Sequence, residues 1–493
     1  MPRNSLRRAA ALLLLLGLAA SAGGCRQKPE GSATVVVIGG EPKLRDPAAG
    51  PLSPSEAVLL ASVAQGLVRF DAAGNIVAGL AERWNVSDDG MSYIFRIAPA
   101  QWPGGGKISA QQVARALKRS LAKRSLNPLK DTLGAVDDVV AMTDRVVEIR
   151  LKAPRPNLLA LLAQPELGIV RDGGGTGPFA LAAERTENEA LRLTRDVARG
   201  EDEQSRVEDV LLSGANAADA IRGFAAGNAD LVLGGTFADL LDAQGASLRR
   251  GRLHFDPASG LFGLAPVRSG DALDDPALRR LLSAAIDRDS IIAALGVPGL
   301  APRANVLEPG LEGMPAPVVP AWFGVPISER RAGLAGEVAT KFPVGEKPIL
   351  RVLLPQGGGA DLMLQLLARD WGALGFQVER ATSLATADFR LIDEVAPSNS
   401  PAWFLRRFRC EIARVCDAEA DTLLDAARTT PLPAQRTALL QQAAAKIDDL
   451  QLFLPIAAPV RWALVSPRLR GFAGNRFARH TLTDLEQRPG RRD

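Results

Sequence analysis

Thiol and imidazole are scarce in this chain, and their positions limit the chemistry it can perform. The 493 residues contain three cysteines and two histidines. His254 and His480 lie far from each other and from the pair Cys410 and Cys416, so no ligand spacing typical of zinc is present. Two imidazoles also leave little material for a Ser/His or Cys/His nucleophile. Neither a Gly-x-Ser-x-Gly elbow nor a His-Glu-x-x-His helix occurs. Asp172-Gly173-Gly174-Gly175-Thr176-Gly177 is glycine-rich enough to cradle a phosphate, but no Gly-Lys-Ser/Thr follows it. A tight passage of backbone against backbone, at a crossing between lobes, is the expected use of those glycines. No catalytic residue, metal or cofactor is expected.

The cysteines have another use. Arg3, Arg7 and Arg8 precede the apolar run Leu12–Leu16, and Ala22-Gly23-Gly24 lead into Cys25. A positive start, a short apolar middle and small residues at the end form an export signal, too short to span a membrane comfortably. The last four residues resemble a lipoprotein signal, with Ala22 standing where leucine is usual. That resemblance implies that residues 1–24 are removed and that Cys25 carries lipid, palmitate included. The alternative is an ordinary cleaved signal with a chance cysteine. In the oxidising compartment that export implies, the remaining pair Cys410 and Cys416 reads as a disulfide closing a small loop, the alternative being two free buried thiols.

Residues 25–33 are small and polar and are expected to form a flexible tether. Thr34–Ile38 is a β-branched run stopped by Gly39-Gly40, the pattern of a buried strand. Helical spacing follows over 54–64, with Ser53 or Ser55 as the cap. Asp88-Asp89-Gly90 between Trp84–Ser87 and Tyr93–Ile97 predicts a hairpin. Ser109 with Gln112 predicts a capping box. Val146–Leu151 alternates like a strand, Leu158–Leu162 reads as helix, and another helix begins at Pro276 behind Asp274-Asp275. Strand (349–354), helix (361–374) and strand (376–379) then succeed one another, a helix over 434–450 follows, and 452–456 is apolar. This order predicts an α/β fold. The Pro- and Gly-rich stretch 296–326 predicts a long surface connection.

A chain of 493 residues, 47% hydrophobic and 23% charged, is an ordinary globular composition too long for one core. Its formal net charge is +4, and apart from the tail Arg488, Arg491 and Arg492 it has no dense basic block, so nucleic acid is not expected as a partner.

Several segments resemble, in order, the bacterial extracellular solute-binding proteins of family 5, the dipeptide-, oligopeptide- and nickel-binding components of ABC importers. They are Glu41-Pro42-Lys43-Leu44-Arg45-Asp46-Pro47, Gln65–Asp71, Ala78–Arg96, Trp102 with Ser109–Val113, Gly175–Phe179, Phe224–Asp230 and Leu278–Arg288. Ala78–Arg96 is the most specific of these. The resemblance implies a two-lobed periplasmic-binding-protein-like fold (class II/cluster C type) with an extra small subdomain in the N-terminal half. Residues 34–255 with 456–493 would form lobe I, carrying the subdomain at about 55–155, and 256–455 would form lobe II. It further implies a monomer held in the periplasm by its lipid, closing on a peptide or similar small polar solute and passing it to an inner-membrane ABC permease.

In that family a carboxylate near the cleft meets the amino group of a peptide, within a Trp and Asp-Tyr-x-Asp-Pro-like stretch. Here the matching region is Phe389–Pro397, which lacks both the Trp and the Tyr. The resemblance leaves Asp393 or Glu394 as candidates for that anchor, each with a solvated loop position as the alternative. Glu41, just after the first strand, is a candidate for ligand contact, or else simply exposed. Trp403 and Phe404 would line the cleft or fill the core. An envelope scaffold or sensor that keeps the fold without transport is the competing function.

Overall fold

The computed structural model describes residues 32–171, 173–182, 190–199, 203–268, 272–342 and 348–487. The export segment, Cys25 and most of the tether lie outside the described residues. Among those residues, three sheets of four or more strands organise the chain.

The first sheet has seven strands, in the order Ala180–Leu181, Leu191–Arg199, Glu203–Ala215, Ser32–Ile38, Leu231–Thr236, Arg461–Val465 and Leu253–Phe255. Its central strand Ser32–Ile38 runs parallel to both neighbours. A strand covered on both faces needs apolar side chains on both, which its unbroken β-branched run supplies. Val35 and Val37 are fully buried in one core, while Val36 and Ile38 pack against another. The strand starts two residues before that run, because Ser32 and Ala33 already pair with Asp209 and Val210. The tether expected over 25–33 therefore gives up its last two residues to the sheet.

A four-stranded antiparallel sheet, Ala81–Val86, Ser92–Ile97, Val146–Leu151 and Val136–Thr143, forms a subdomain within this half of the chain. Its hairpin turns at Asp89-Gly90, where the Ser87 hydroxyl donates to Asp89 at 2.6 Å and accepts from the Ser92 amide at 2.9 Å. Alternation places Tyr93, Phe95 and Ile97 on one face. There they share a core with Val147, Ile149 and the helix Ala110–Leu121. Capping boxes start that helix at Ser109 and the helix Pro54–Val63 at Ser53.

The second lobe is built on a five-stranded mixed sheet, Val378–Arg380, Leu350–Leu353, Phe389–Val395, Gly260–Pro266 and Leu454–Ala457. The chain passes between the two large sheets twice, between Phe255 and Gly260 and between Ala457 and Arg461. Gly260 opens the second lobe at φ +152°, and a Cβ there would collide with the Glu394 carbonyl. The glycines at 173–177 lie elsewhere. A Cβ on Gly175 or Gly177 would strike the end of the helix Pro54–Val63 at Val63, Ala64 and the Ser62 carbonyl. These glycines let a loop pack against a helix inside the first lobe, which corrects the expected crossing between lobes.

No helix or strand interrupts 296–326. The helix Ile327–Lys341 that follows shows no clear apolar face in sequence, and only Leu334 and Val338 of it are buried. The long connection is held by Asp448 near the end of the helix Pro433–Asp449. Its two carboxylate oxygens accept from the Val306 amide at 2.8 Å and the Asn305 side chain at 3.0 Å.

Burial pushes the Asp448 carboxyl up to about 7, only partly offset by those two hydrogen bonds. A carboxyl whose folded pKa is raised stabilises the fold below its unfolded value of 3.8, and that contribution is lost as pH rises through about 7. The urea midpoint of the protein should therefore fall between pH 5 and pH 8. D448N, which carries no titrating group there, should flatten this part of the profile, and equal slopes for both proteins would refute the assignment.

Candidate functional site

A cavity of about 550 Å³ lies between the inserted subdomain and the second lobe. Its subdomain wall comes from 121–136, the end of the strand Val146–Leu151 and the start of the helix Leu158–Leu162. The opposite wall comes from the helices Pro401–Arg406, Ala418–Thr429 and Pro433–Asp449. A second cavity of about 100 Å³ lies beside the helix Pro54–Val63 and is largely apolar. Only the first is large enough for a ligand of several residues.

Polar bridges join the two walls of the large cavity. Arg406 donates to Asp131 at 2.6 Å and to the Thr132 hydroxyl at 3.2 Å. Arg155 donates to the Arg428 carbonyl at 2.9 Å, and its own carbonyl accepts from the Tyr93 hydroxyl at 2.9 Å. Eight lining side chains are lysine or arginine and two are acidic. Burial lowers the pKa of Arg155 to about 10, and repulsion from Arg436 adds to this while Glu312 opposes it. Arg436 and Arg406 are lowered first by burial too, and burial raises Glu312. These directions share one cause, charge held in a poorly solvated space.

Nearer the crossings the two lobes are tied by a different set of contacts. Arg461, on the seven-stranded sheet, donates to Asp393 of the five-stranded sheet at 2.7 Å and to the Asp393 carbonyl at 3.0 Å. Gln164 donates to the Pro397 carbonyl at 2.8 Å and accepts from Arg479 at 3.1 Å. Asp256 and His480 form a buried hydrogen-bonded pair at 3.1 Å.

The residues singled out from sequence occupy four different settings. Glu41 is exposed just past the first strand, 3.4 Å from Lys43. Asp393 faces Arg461, and Glu394 is ion-paired with Arg407. Trp403 lines the large cavity with part of its ring while packing edge-on against Phe404 in the core, with the Arg407 guanidinium 5.6 Å over it. Cys410 and Cys416 are joined by a disulfide with Cα atoms 5.1 Å apart, directly after Arg409 of the cavity wall. Arg155, Asn157, Arg406 and Arg436 were not singled out. Only Arg406 carries a visible signal, the spacing Arg406-Arg407-x-Arg409 behind Trp403. No cluster of three or more His, Cys, Asp or Glu poised for a metal occurs among the described residues, and no helix among them is long and apolar enough to cross a membrane.

Comparison with known proteins gives a consistent picture. Residues 75–394 match the family described as "Bacterial extracellular solute-binding proteins, family 5 Middle". A Pseudomonas aeruginosa protein named "Probable di/tripeptide-binding protein 5" is 26% identical over 477 residues, covering 85% of this chain and 88% of that protein. Among solved structures, the Escherichia coli murein tripeptide binding protein MppA superposes with a TM-score of 0.77 at 19% identity, over 93% of this chain and 99% of that one. Haemophilus influenzae OppA in complex with RPPGFSPFR gives 0.75 at 18% identity, over 92% and 99%. The architecture is that of the two-lobed periplasmic binding proteins.

The Asp393–Arg461 pair yields a test of how the lobes are held. Removing the arginine leaves a buried carboxylate unpaired, a loss of about 3–5 kcal/mol. Burial already raises the Asp393 pKa against the pull of Arg461. R461M should therefore lose more stability at pH 8 than at pH 5, where Asp393 can take up a proton. Joint replacement of both partners by apolar residues should recover much of the loss. Denaturant unfolding at the two pH values checks this, and a pH-independent loss in R461M would contradict it.

Proposed function

The chain belongs to the bacterial extracellular solute-binding proteins of family 5, and from that premise we propose that it captures peptides or similar small polar solutes in the cell envelope for an ABC importer. The observation that carries the reading is the cavity of about 550 Å³ between the subdomain and the second lobe. Two short crossings join the large sheets, a connection suited to rigid-body closure, and a ligand touching both walls adds contacts that exist only in the closed state. The relatives named for di- and tripeptides, and the solved protein holding a nonapeptide, support the ligand class. On this reading the protein makes no covalent change to its cargo, needs no cofactor, works as a monomer and hands the solute to an inner-membrane permease.

Cys25, at the end of the export segment, anchors the mature protein through lipid in this proposal. C25S should leave the membrane fraction and lose palmitate labelling while retaining its fold. Retention of the variant in the membrane fraction would refute the anchor.

One observation favours the scaffold or sensor reading. Both carboxylates expected to meet a peptide amino group are already engaged by arginines of the chain itself, Asp393 by Arg461 and Glu394 by Arg407. Thermal unfolding separates the two readings. A solute present at a hundred times its dissociation constant should stabilise the protein by about 2.7 kcal/mol. Absence of any shift across peptides, opines and metal chelates would favour the scaffold.

A further inference from the structure

We propose that the cavity between the subdomain and the second lobe selects solutes carrying two or more carboxylates, with an acidic di- or tripeptide as the representative ligand. The inference rests on the solute-binding reading above and adds the charge of the cargo. Eight lysine and arginine side chains against two acids give the lining a strong positive excess, although the whole chain carries only +4. The excess is therefore local to this cavity.

What those cations touch separates structural charge from charge left for a ligand. Arg406 pairs with Asp131, Arg409 with Glu411 and Asp425, and Arg428 with Asp425, so three acids balance these three arginines within the fold. Arg155 and Arg436 are not. Arg155 donates to the carbonyls of Pro154 at 2.7 Å and Arg428 at 2.9 Å, contacts that fix the guanidinium without cancelling its charge. Among the described residues neither Arg155 nor Arg436 has a carboxylate within 4.0 Å. Glu312 is the one carboxylate felt by both; burial raises its pKa while the two arginines lower it, and it stands beyond ion-pairing distance of each.

Neutral donors add to the same demand. The Asn157 side-chain amide nitrogen, which lines the cavity two residues after Arg155, is buried with no hydrogen-bond partner. A buried donor without an acceptor is costly, and so is a desolvated cation without an anion. A carboxylate placed among Arg155, Arg436 and Asn157 would satisfy both with charge-assisted bonds. Lys152, exposed at the same margin, would attract a second carboxylate over the distance that salt leaves unscreened.

The test uses the processed protein and calorimetric titration with glutamyl-glutamate, glutaminyl-glutamine, lysyl-lysine and citrate. Glutamyl-glutamate should bind at least tenfold more tightly than glutaminyl-glutamine, lysyl-lysine should not bind, and the preference should shrink as salt rises from 50 to 500 mM (~14 Å to ~4 Å screening length). R436Q should weaken glutamyl-glutamate about tenfold, the loss of one charge-assisted contact, and shrink its advantage over glutaminyl-glutamine. If R436Q does not fold, K152Q at an exposed position should show a smaller loss with the same selectivity. Citrate binding as tightly as the acidic peptide identifies a polycarboxylate site that ignores the peptide backbone, and the charge inference stands. Equal or tighter binding of glutaminyl-glutamine or lysyl-lysine overturns the charge inference and leaves the solute-binding reading intact. No binding by any of the four overturns the charge inference. Only if peptides, opines and chelates at large also fail to bind does the solute-binding reading fall with it.

Discussion

Two short crossings constrain everything else in this molecule. Between Phe255 and Gly260, and again between Ala457 and Arg461, a single chain is shared by two large sheets. The crossing strands cannot slide without breaking ladders on both sides, so relative movement is confined to a few residues at the junction. Arg461 shows how tightly the junction is specified. It belongs to the ladder of the first sheet, yet its guanidinium grips both the side chain and the carbonyl of Asp393 in the second. A pair so placed adds little net stability if its desolvation is counted, but it penalises any arrangement that separates the two charges.

The fold was legible where local patterns coincide with tertiary need. The β-branched run at 34–38 is covered on both faces because it is the parallel centre of a sheet, and the capping boxes at Ser53 and Ser109 start helices where the side chains predict them. Legibility failed where the deciding contact is remote in sequence. The glycines at 173–177 mark a close approach in the sequence, but glycine says nothing about which neighbour is close. That neighbour is the end of a helix more than a hundred residues earlier. The helix Ile327–Lys341 escaped notice because it buries so little of itself.

The candidate site was harder to read for the same reason. Trp403 was noticed as an aromatic, but its partners in the cavity wall come from the loop at 155–157 and from the helix Pro433–Asp449. Arg436 stands nearly three hundred positions beyond Arg155 and Asn157, and all three have unremarkable neighbours. Only the folded arrangement reveals that they converge on one cavity and that neither arginine has an ion-pair partner among the described residues. Asp393 and Glu394 show the converse. Their sequence position suggests acids available to a ligand, whereas each is occupied by an arginine.

The division of charge between junction and cavity then has a functional logic. At the junction acids and arginines are matched. Glu166 takes Arg479, Glu308 takes Arg303, and Asp393 takes Arg461. Matching these charges ties the lobes together and leaves Glu166, Glu308 and Asp393 engaged within the fold. In the cavity cations outnumber acids, and the Arg155 guanidinium rests on two carbonyls that hold it in place without neutralising it. A protein that seizes an amino terminus needs a carboxylate free for it; Asp393 and Glu394 are engaged here, while Arg155 and Arg436 have no ion-pair partner among the described residues. On the proposed reading, recognition moves from the positive end of a zwitterionic solute to its negative groups. In the proposal, closure of the lobes is favoured by the anion that relieves the repulsion of Arg155 by Arg436.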